Sequence, residues 1–445
     1  MNAGVNEHPV TLLIRDNLRR SRLTVFFRLF LAIPHFIWWG FWTIAVFFVA
    51  IVGWLIALVT GRLTGGLHRF FCRYVNYTAH LFGYLLLVTN PYPEFGGVFG
   101  PLNALDVKLP DEPVVQPRWK TLVRLVIALP SLFVDAALGG AGGGGGATRG
   151  TARSSNSAGF QSSGVSSVTS FLGWCVCVVK GQMPKGFRDT GGFVVGYWAQ
   201  VLAYLLLVTD RYPNADPTAM LSSVERPPVH PVHVVGDSED LRMSRVTVFF
   251  RLPLLIPLLF WLVLWSVLAI LASIVQWLVT LIRGRPIDSF HRFLSRWIRF
   301  SFHVNAFGGL VANPFPSFGG QFGLYPLDLV LPAPARQNRW KTLFRGLLAI
   351  PAFLVSSALN IALVVDAILI WFAALATGKA PEGLRNLSVF ALRYAGQTSA
   401  YTFFLTDQYP HSSPLEGFDP EPEPEPVTEP AENGGPAENG GTEPA

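Results

Sequence analysis

Residues 29 to 61 contain no Asp, Glu, Lys or Arg, and neither do residues 252 to 282. Each run far exceeds the roughly 18 apolar residues that suggest a bilayer-length helix. A water-soluble core helix of that length keeps a polar face, and these runs have none. The chain therefore reads as an integral membrane protein. Its composition agrees: 51% of the 445 residues are hydrophobic and only 14% charged, against roughly 25% charged in soluble domains.

The runs belong to a repeated unit. An Arg-x5-Arg-x5-Pro skeleton followed by an apolar segment occurs four times: Arg22, Arg28 and Pro34; Arg118, Arg124 and Pro130; Arg245, Arg251 and Pro257; Arg339, Arg345 and Pro351. Each segment ends at a Gly-basic turn: Gly61-Arg62, Lys180-Gly181, Arg283-Gly284-Arg285 and Gly378-Lys379. A second, weaker apolar segment follows, at 70–89, 190–209, 293–312 and 387–406. Each closes on Asn90, Asp210, Asn313 or Asp407 and an aromatic-Pro pair, which ends a helix at an interface. On a larger scale, the stretch Asn90 to Gly100 returns almost unchanged as Asn313 to Gly323, and RWKTL follows both, at Arg118 and Arg339. This is a duplicated duplication. The expected fold is an all-α integral membrane protein of four tandem repeats and about eight spans, both termini on one side. The repeats occupy 21–104, 105–223, 224–326 and 327–410, between a polar segment at 1–20 and a tail at 411–445.

Short alternating patches precede the copies: Val10 to Ile14, Leu105 to Leu109, Val232 to Val235 and Leu327 to Leu331. They read as strands able to pair at one membrane face, with plain extended linkers as the alternative. From Leu23 to Thr60 a helix runs about 57 Å, nearly twice the ~30 Å hydrocarbon core. An interfacial helix carrying the two arginines, a bend near Pro34 and a tilted span is expected, with a tight hairpin as the rival. In the second copy a Gly/Ser-rich insertion at 139–167 interrupts the first apolar segment. Irregular backbone is not viable in hydrocarbon, so the insertion is expected at a turn near the surface, which suits a hairpin there or a lost span.

Charge is uneven. Nine of the 28 acidic residues lie between His411 and Ala445, where there is no Lys or Arg, leaving 34 basic and 19 acidic residues elsewhere. A basic membrane part suits anionic lipids as partners, at roughly 1 kcal/mol per residue near the headgroups. The Pro/Glu-rich tail favours polyproline II or disorder and offers a protein-binding segment at most. Cys72, Cys175 and Cys177 give neither a disulfide framework nor metal-ligand spacing. The basic residues flank apolar segments and form no nucleic-acid patch. Neither a catalytic motif nor a cofactor motif is present, so no enzyme activity is expected.

The unit SR-L-T-x-FFR-x4-IP, its apolar run, TGR and an ending such as YLLLVTDRYP resemble the bacterial, largely actinobacterial, membrane family labelled domain of unknown function 4389. The resemblance is close at Ser21 to Pro93, clear at Ser244 to Pro316 and looser in copies two and four. It implies a multi-span protein of the bacterial plasma membrane and carries no activity, cofactor or catalytic residue. The insertion and the acidic tail depart from the pattern. Both termini are expected in the cytoplasm, from an N-terminus read as unprocessed and the acidic tail, the basic bias of the flanks being too small to decide orientation.

Three groups of residues are candidates for function. Arg69, Arg73, Asn76 and His80 share one helix face, and Arg292, Arg296, Arg299 and His303 repeat that spacing 223 residues on. Two such stripes suit an anion path or a lipid-phosphate grip; arginines reaching the interface and histidines bonded inside the bundle are the structural alternative. Gln200 and Gln397 stand at the histidine positions of copies two and four. The eight skeleton arginines read as membrane-entry residues anchored at the interface, since a six-residue spacing turns about 240° and separates each pair. Asp366, and less deeply Asp135, are acids within apolar runs. The leading expectation is a non-enzymatic membrane scaffold or accessory subunit. The alternative is a transporter or lipid-handling protein using the paired stripes at a repeat interface.

Overall fold

A computed structural model describes residues 8–100, 103–139, 164–236 and 241–415. Most of the insertion, the tail beyond Leu415 and residues 1–7 lie outside the described residues.

The first half of the chain runs β1 (Thr11–Ile14), α1 (Arg22–Phe26), α2 (Arg28–Leu31), α3 (Ile33–Thr60), α4 (Gly65–Leu85), β2 (Leu105–Lys108), α5 (Arg118–Gly139), α6 (Val165–Lys180), α7 (Lys185–Leu205) and α8 (Pro217–Met220). The second half repeats it as β3 (His233–Gly236), α9 (Arg245–Phe249), α10 (Arg251–Arg283), α11 (Asp288–Gly308), β4 (Leu327–Val330), α12 (Arg339–Leu343), α13 (Arg345–Thr377) and α14 (Glu382–Thr402). The expected strands are present. β1 pairs antiparallel with β2 and β3 with β4, so each half carries its own two-stranded sheet.

The elements stack in three layers. The first is a row of long apolar helices: α3 packs on α5, the α5–α6 pair on α13, and α12, which leads into α13, on α10. The second consists of two pairs, α4 with α7 and α14 with α11, packed beneath the first. The strands form the third, β2 on α4, β1 on α7, β4 on α11 and β3 on α14. The halves meet where α13 crosses α5 and α6, and where the chain ends interlock. There Ser413 Oγ donates to Asp189 Oδ2 at 2.7 Å, and Asn386 Nδ2 donates to Asp216 Oδ2 at 3.0 Å.

Among the described residues four helices are long and apolar enough to cross a membrane: Ile33–Thr60, Arg118–Gly139, Arg251–Arg283 and Arg345–Thr377. α4, α7, α11 and α14 are not among them, although each was expected as a span. Their apolar residues face other helices and strands; α7 is buried along most of its length. A face buried in protein and a face buried in lipid are written with the same residues, which is why these helices resemble spans in sequence.

The first helix of copy one breaks twice, at Phe27 between α1 and α2 and at Ala32 between α2 and α3; the second break is the bend expected near Pro34, which sits in the first turn of α3, where its missing N–H costs nothing. No hairpin forms in it. In copy two, the Gly139 carbonyl accepts from Ser166 Oγ at 2.9 Å and from Ser167 Oγ at 3.2 Å, so α5 and α6 meet end to end along α13. Counting from the shared arginine, Gly139 corresponds to Asn360, the middle of α13. The insertion thus leaves from the midpoint of one long helix, not from a turn between two.

Candidate functional site

The two stripes divide into an outer and an inner part. Arg69, Arg73, Arg292 and Arg296 are exposed, Arg299 is half-buried, and Asn76, His80 and His303 are buried. The inner part docks the strands. His80 Nε2 lies 2.9 Å from Asp106 Oδ1 on β2, and His303 Nε2 lies 3.0 Å from Asp328 Oδ1 on β4. One turn away, Asn76 Oδ1 accepts from the Val107 amide at 2.8 Å, and at the equivalent position Arg299 Nε donates to the Leu329 carbonyl at 3.0 Å.

Both carboxylates are closely held. Asp106 also accepts from Asn103 Nδ2 at 2.9 Å and the Gly100 amide at 3.3 Å, with Arg15 Nη1 3.6 Å away. Asp328 accepts from the Gly323 and Leu329 amides, both at 2.7 Å. His303 is stacked on Tyr325, ring centroids 4.6 Å apart, and burial pushes the Tyr325 hydroxyl up from its ordinary value, so the ring beside His303 is neutral. In copies two and four the same job falls to Gln200 and Gln397, which donate to the Val10 and Val232 carbonyls at 2.9 Å each, just before β1 and β3. The inner stripe is a helix-to-strand latch used four times.

A buried His–Asp pair also orients the base of a hydrolytic triad. Among the described residues neither histidine has a Ser or Cys nucleophile at hydrogen-bond distance. No group of three His, Cys, Asp or Glu side chains there is placed to hold a metal ion. The partner acids Asp106 and Asp328 were visible in sequence as the one acidic residue inside each of their strand patches, but nothing local tied them to histidines about 25 residues upstream.

The skeleton arginines behave differently from the expected interfacial anchors. The first of each pair, Arg22, Arg118, Arg245 and Arg339, is exposed. The second, Arg28, Arg124, Arg251 and Arg345, is buried and caps the C-terminus of the following 21-residue helix. Arg28 Nη1 donates to the Tyr84 carbonyl at 2.6 Å, Arg124 Nη1 to Tyr204 at 2.5 Å, Arg251 Nε to Phe307 at 2.7 Å, and Arg345 Nη1 to Tyr401 at 2.9 Å. Each guanidinium lies over that residue's ring, 4.0 to 4.8 Å from the centroid. The cation meets the negative end of the helix dipole and carbonyls that no helical N–H can reach. Two residues past each of these helices stands a non-glycine residue with positive φ, Leu87, Leu207, Leu310 or Phe404, and the turn it makes aims those carbonyls at the arginine. The two arginines of each pair differ in burial, the first exposed and its partner in the core.

Asp366 is fully buried; Ser388 Oγ donates to its Oδ2 at 3.3 Å, while Oδ1 has no partner among the described residues. Asp135 is half-buried on α5. The structure does not bring the two stripes together. The halves join through α5, α6, α7, α13 and α14, with α4 and α11 on the outer flanks.

Four copies of one helical unit, four helices of bilayer length in a single layer, and a repeated arginine cap define a repeat-built protein with membrane-like apolar helices. The chain belongs to the family described as Domain of unknown function (DUF4389), which matches residues 22–96, 245–319 and 339–413, just over half of the chain. No curated protein and no solved structure matches it. The second copy falls outside the matched segments, yet it keeps the Arg124 cap and the left-handed Leu207.

Proposed function

We propose that this protein is a non-catalytic membrane scaffold whose row of four long helices lies in the plane of one leaflet, rather than a multi-pass protein. One observation carries the reading: polar chain runs beside the middle of the apolar layer. α3 has 28 residues, about 42 Å, and α4 returns alongside it. The chain after α4 then follows that helix back, with Asp106 at His80, the Pro110 carbonyl 2.8 Å from His68 Nε2, and the Gln116 amide donating to the Gly61 carbonyl at 2.7 Å.

If α3 stood across a bilayer, exposed Lys108, Asp111, Glu112 and Arg73 would lie at hydrocarbon depth together with irregular backbone. Each charge there costs about 2.5–3.5 kcal/mol, and exposed loops are not tolerated at all. Laid flat, the same molecule puts its apolar layer in lipid and its strands in water. An insertion that leaves from the middle of the α5–α6 helix meets the same obstacle upright and meets none lying down.

Arg62 and Arg69 are exposed at one end of α3 and α4, with exposed Arg73 one turn further along α4, and Arg283, Arg285 and Arg292, with Arg296 one turn further along α11, repeat this in the second half. They form a basic rim for anionic headgroups, at about 1 kcal/mol each. That rim supports a location on the cytoplasmic leaflet, which would put both termini in the cytoplasm. The buried polar groups that looked functional in sequence are engaged in caps and latches, which favours the scaffold over a transporter.

The test uses two single-cysteine variants, R22C and R62C, at opposite ends of the first apolar unit, with the native cysteines replaced. Membrane vesicles of known orientation are treated with an impermeant thiol reagent. Labelling of both variants from the same face is expected. Labelling from opposite faces would show a crossing helix and end the in-plane reading.

A further inference from the structure

The two halves differ in one place that the repeat leads one to expect alike. In the second half a cavity of about 290 Å³ opens between α11, α13 and α14. Its polar lining is Ser301 and Asn305 from α11, Ser356, Ser357 and Asn360 from α13, and Ser399 from α14. In the first half the positions equivalent to Asn305, Ala395 and Ser399 are Phe82, Trp198 and Leu202. Phe82 and Trp198 pack there with ring centroids 5.5 Å apart, and Trp39 closes on Phe82 at 5.8 Å where the second half has Leu262. The same space is filled with aromatic rings in one half and left open and polar in the other.

The lining is chemically specific. It holds four serine hydroxyls and two amides, and no Asp, Glu, Lys, Arg or His. Asn305 Nδ2 donates to the Ser301 carbonyl at 2.7 Å. Among the described residues the side chains of Ser356, Ser357, Asn360 and Ser399 donate to no protein group, so their hydrogen bonds are available to a guest. Asn305, Ser357 and Asn360 are exposed, although Phe353, Ile361 and Val364 around them on α13 are exposed apolar residues of the lipid-facing layer. A patch of unpaired hydroxyls and amides inside an apolar surface costs free energy unless something polar sits against it.

We infer that this cavity binds one uncharged polyhydroxylated group, either a free polyol or sugar or the sugar or glycerol headgroup of a lipid. Neutral donors and acceptors match hydroxyls, and the lining holds no cation to balance the charge of a phosphate. The volume lies at the lower edge of the ~300–1,000 Å³ usual for small-molecule sites, enough for one sugar ring and too small for a nucleotide. The lipid source rests on the in-plane reading, because only then does the cavity, between α13 of the apolar layer and α11 and α14 beneath it, lie at headgroup depth; the free-polyol source does not.

The experiment uses the full chain in nanodiscs. One arm measures binding of free glucose and glycerol by saturation-transfer NMR. The other measures retention of monoglucosyl diacylglycerol, against phosphatidylglycerol, by native mass spectrometry. The filled variant carries the first half's own residues, N305F with A395W; a milder variant, S357A with N360A, changes only exposed side chains. Wild type is expected to bind in at least one arm, with a loss of tenfold or more in the filled variant and a partial loss in the milder one. Glucose alone identifies a soluble ligand, and glycolipid alone identifies a headgroup. Binding in neither arm, meaning a cavity holding only water, overturns the assignment, as does undiminished binding in both variants. Either result leaves the cysteine-labelling outcome untouched, so the two proposals fail separately.

Discussion

Replacing Arg251 with Gln should be among the more damaging single changes in the chain. Arg251 is 2% exposed, and its guanidinium donates to the Phe307 carbonyl at 2.7 Å and the Ala312 carbonyl at 2.5 Å while lying 4.0 Å from the Phe307 ring centroid. Glutamine is shorter, so the Ala312 carbonyl loses its arginine donor and the Phe307 carbonyl keeps only the Leu310 amide, at 3.1 Å. Hydrogen bonds to a charged group are worth about 1.5–3 kcal/mol each, and the cation–π contact about 0.5–2. Because these terms overlap, a loss of about 3–5 kcal/mol is expected, as for other broken buried charge contacts. For a cooperative unit the size of one half, at about 2–4 °C per kcal/mol, the melting point falls by roughly 10 °C. The assay is thermal unfolding of purified protein followed by tryptophan fluorescence, with R28Q, R124Q and R345Q as the repeat-equivalent variants and R296Q as the exposed control. R251Q melting within about a degree of wild type would refute the capping role. So would R296Q melting as low as R251Q.

Three further outcomes are expected. The G97A variant places a Cβ 2.1 Å from the Arg73 carbonyl at a φ of +58°, so the loop must move off α4; a loss of about 2–4 kcal/mol is expected in the same melting assay, and G320A should match it. The fourfold variant R69Q, R73Q, R292Q and R296Q should keep the wild-type melting point but lose flotation with anionic vesicles at low salt, by up to about 1 kcal/mol per residue, with no change on zwitterionic vesicles. Burial pushes the Cys72 thiol up to about 12, with the negative charge of Asp111 adding to it, so the reactive thiolate is scarce at neutral pH; alkylation of Cys72 should be slow at pH 7–8 and accelerate as pH rises towards 12.

Much of the architecture follows from residue pattern alone. Charge-free runs, four Arg-x5-Arg-x5-Pro skeletons and Gly-basic turns mark the long helices and their ends to within a few residues, because backbone hydrogen bonding and apolar burial act locally. The alternating patches yielded four strands for the same reason. The internal duplication needed no structure, and the family match rests on the same motifs. The twin stripes were also real as helix faces, with His80 and His303 at matching positions.

Partnership was decided by the tertiary structure. Helical phase separates Arg22 from Arg28, but only packing decides that Arg28 is the buried one, because the Tyr84 carbonyl it caps is supplied by another helix. The second helix of each copy looked like a span since hydrophobic residues do not encode whether protein or lipid will cover them. His80 and Asp106 meet because β2 folds back along α4, a contact across 26 residues that no local periodicity contains. The open cavity of the second half depends on Asn305 and Ala395 standing where Phe82 and Trp198 fill the first; each is an unremarkable residue until three helices set them side by side. Sequence wrote the elements and their repetition, which are local in origin, and the fold alone settled which faces meet, because burial is a property of pairs of surfaces.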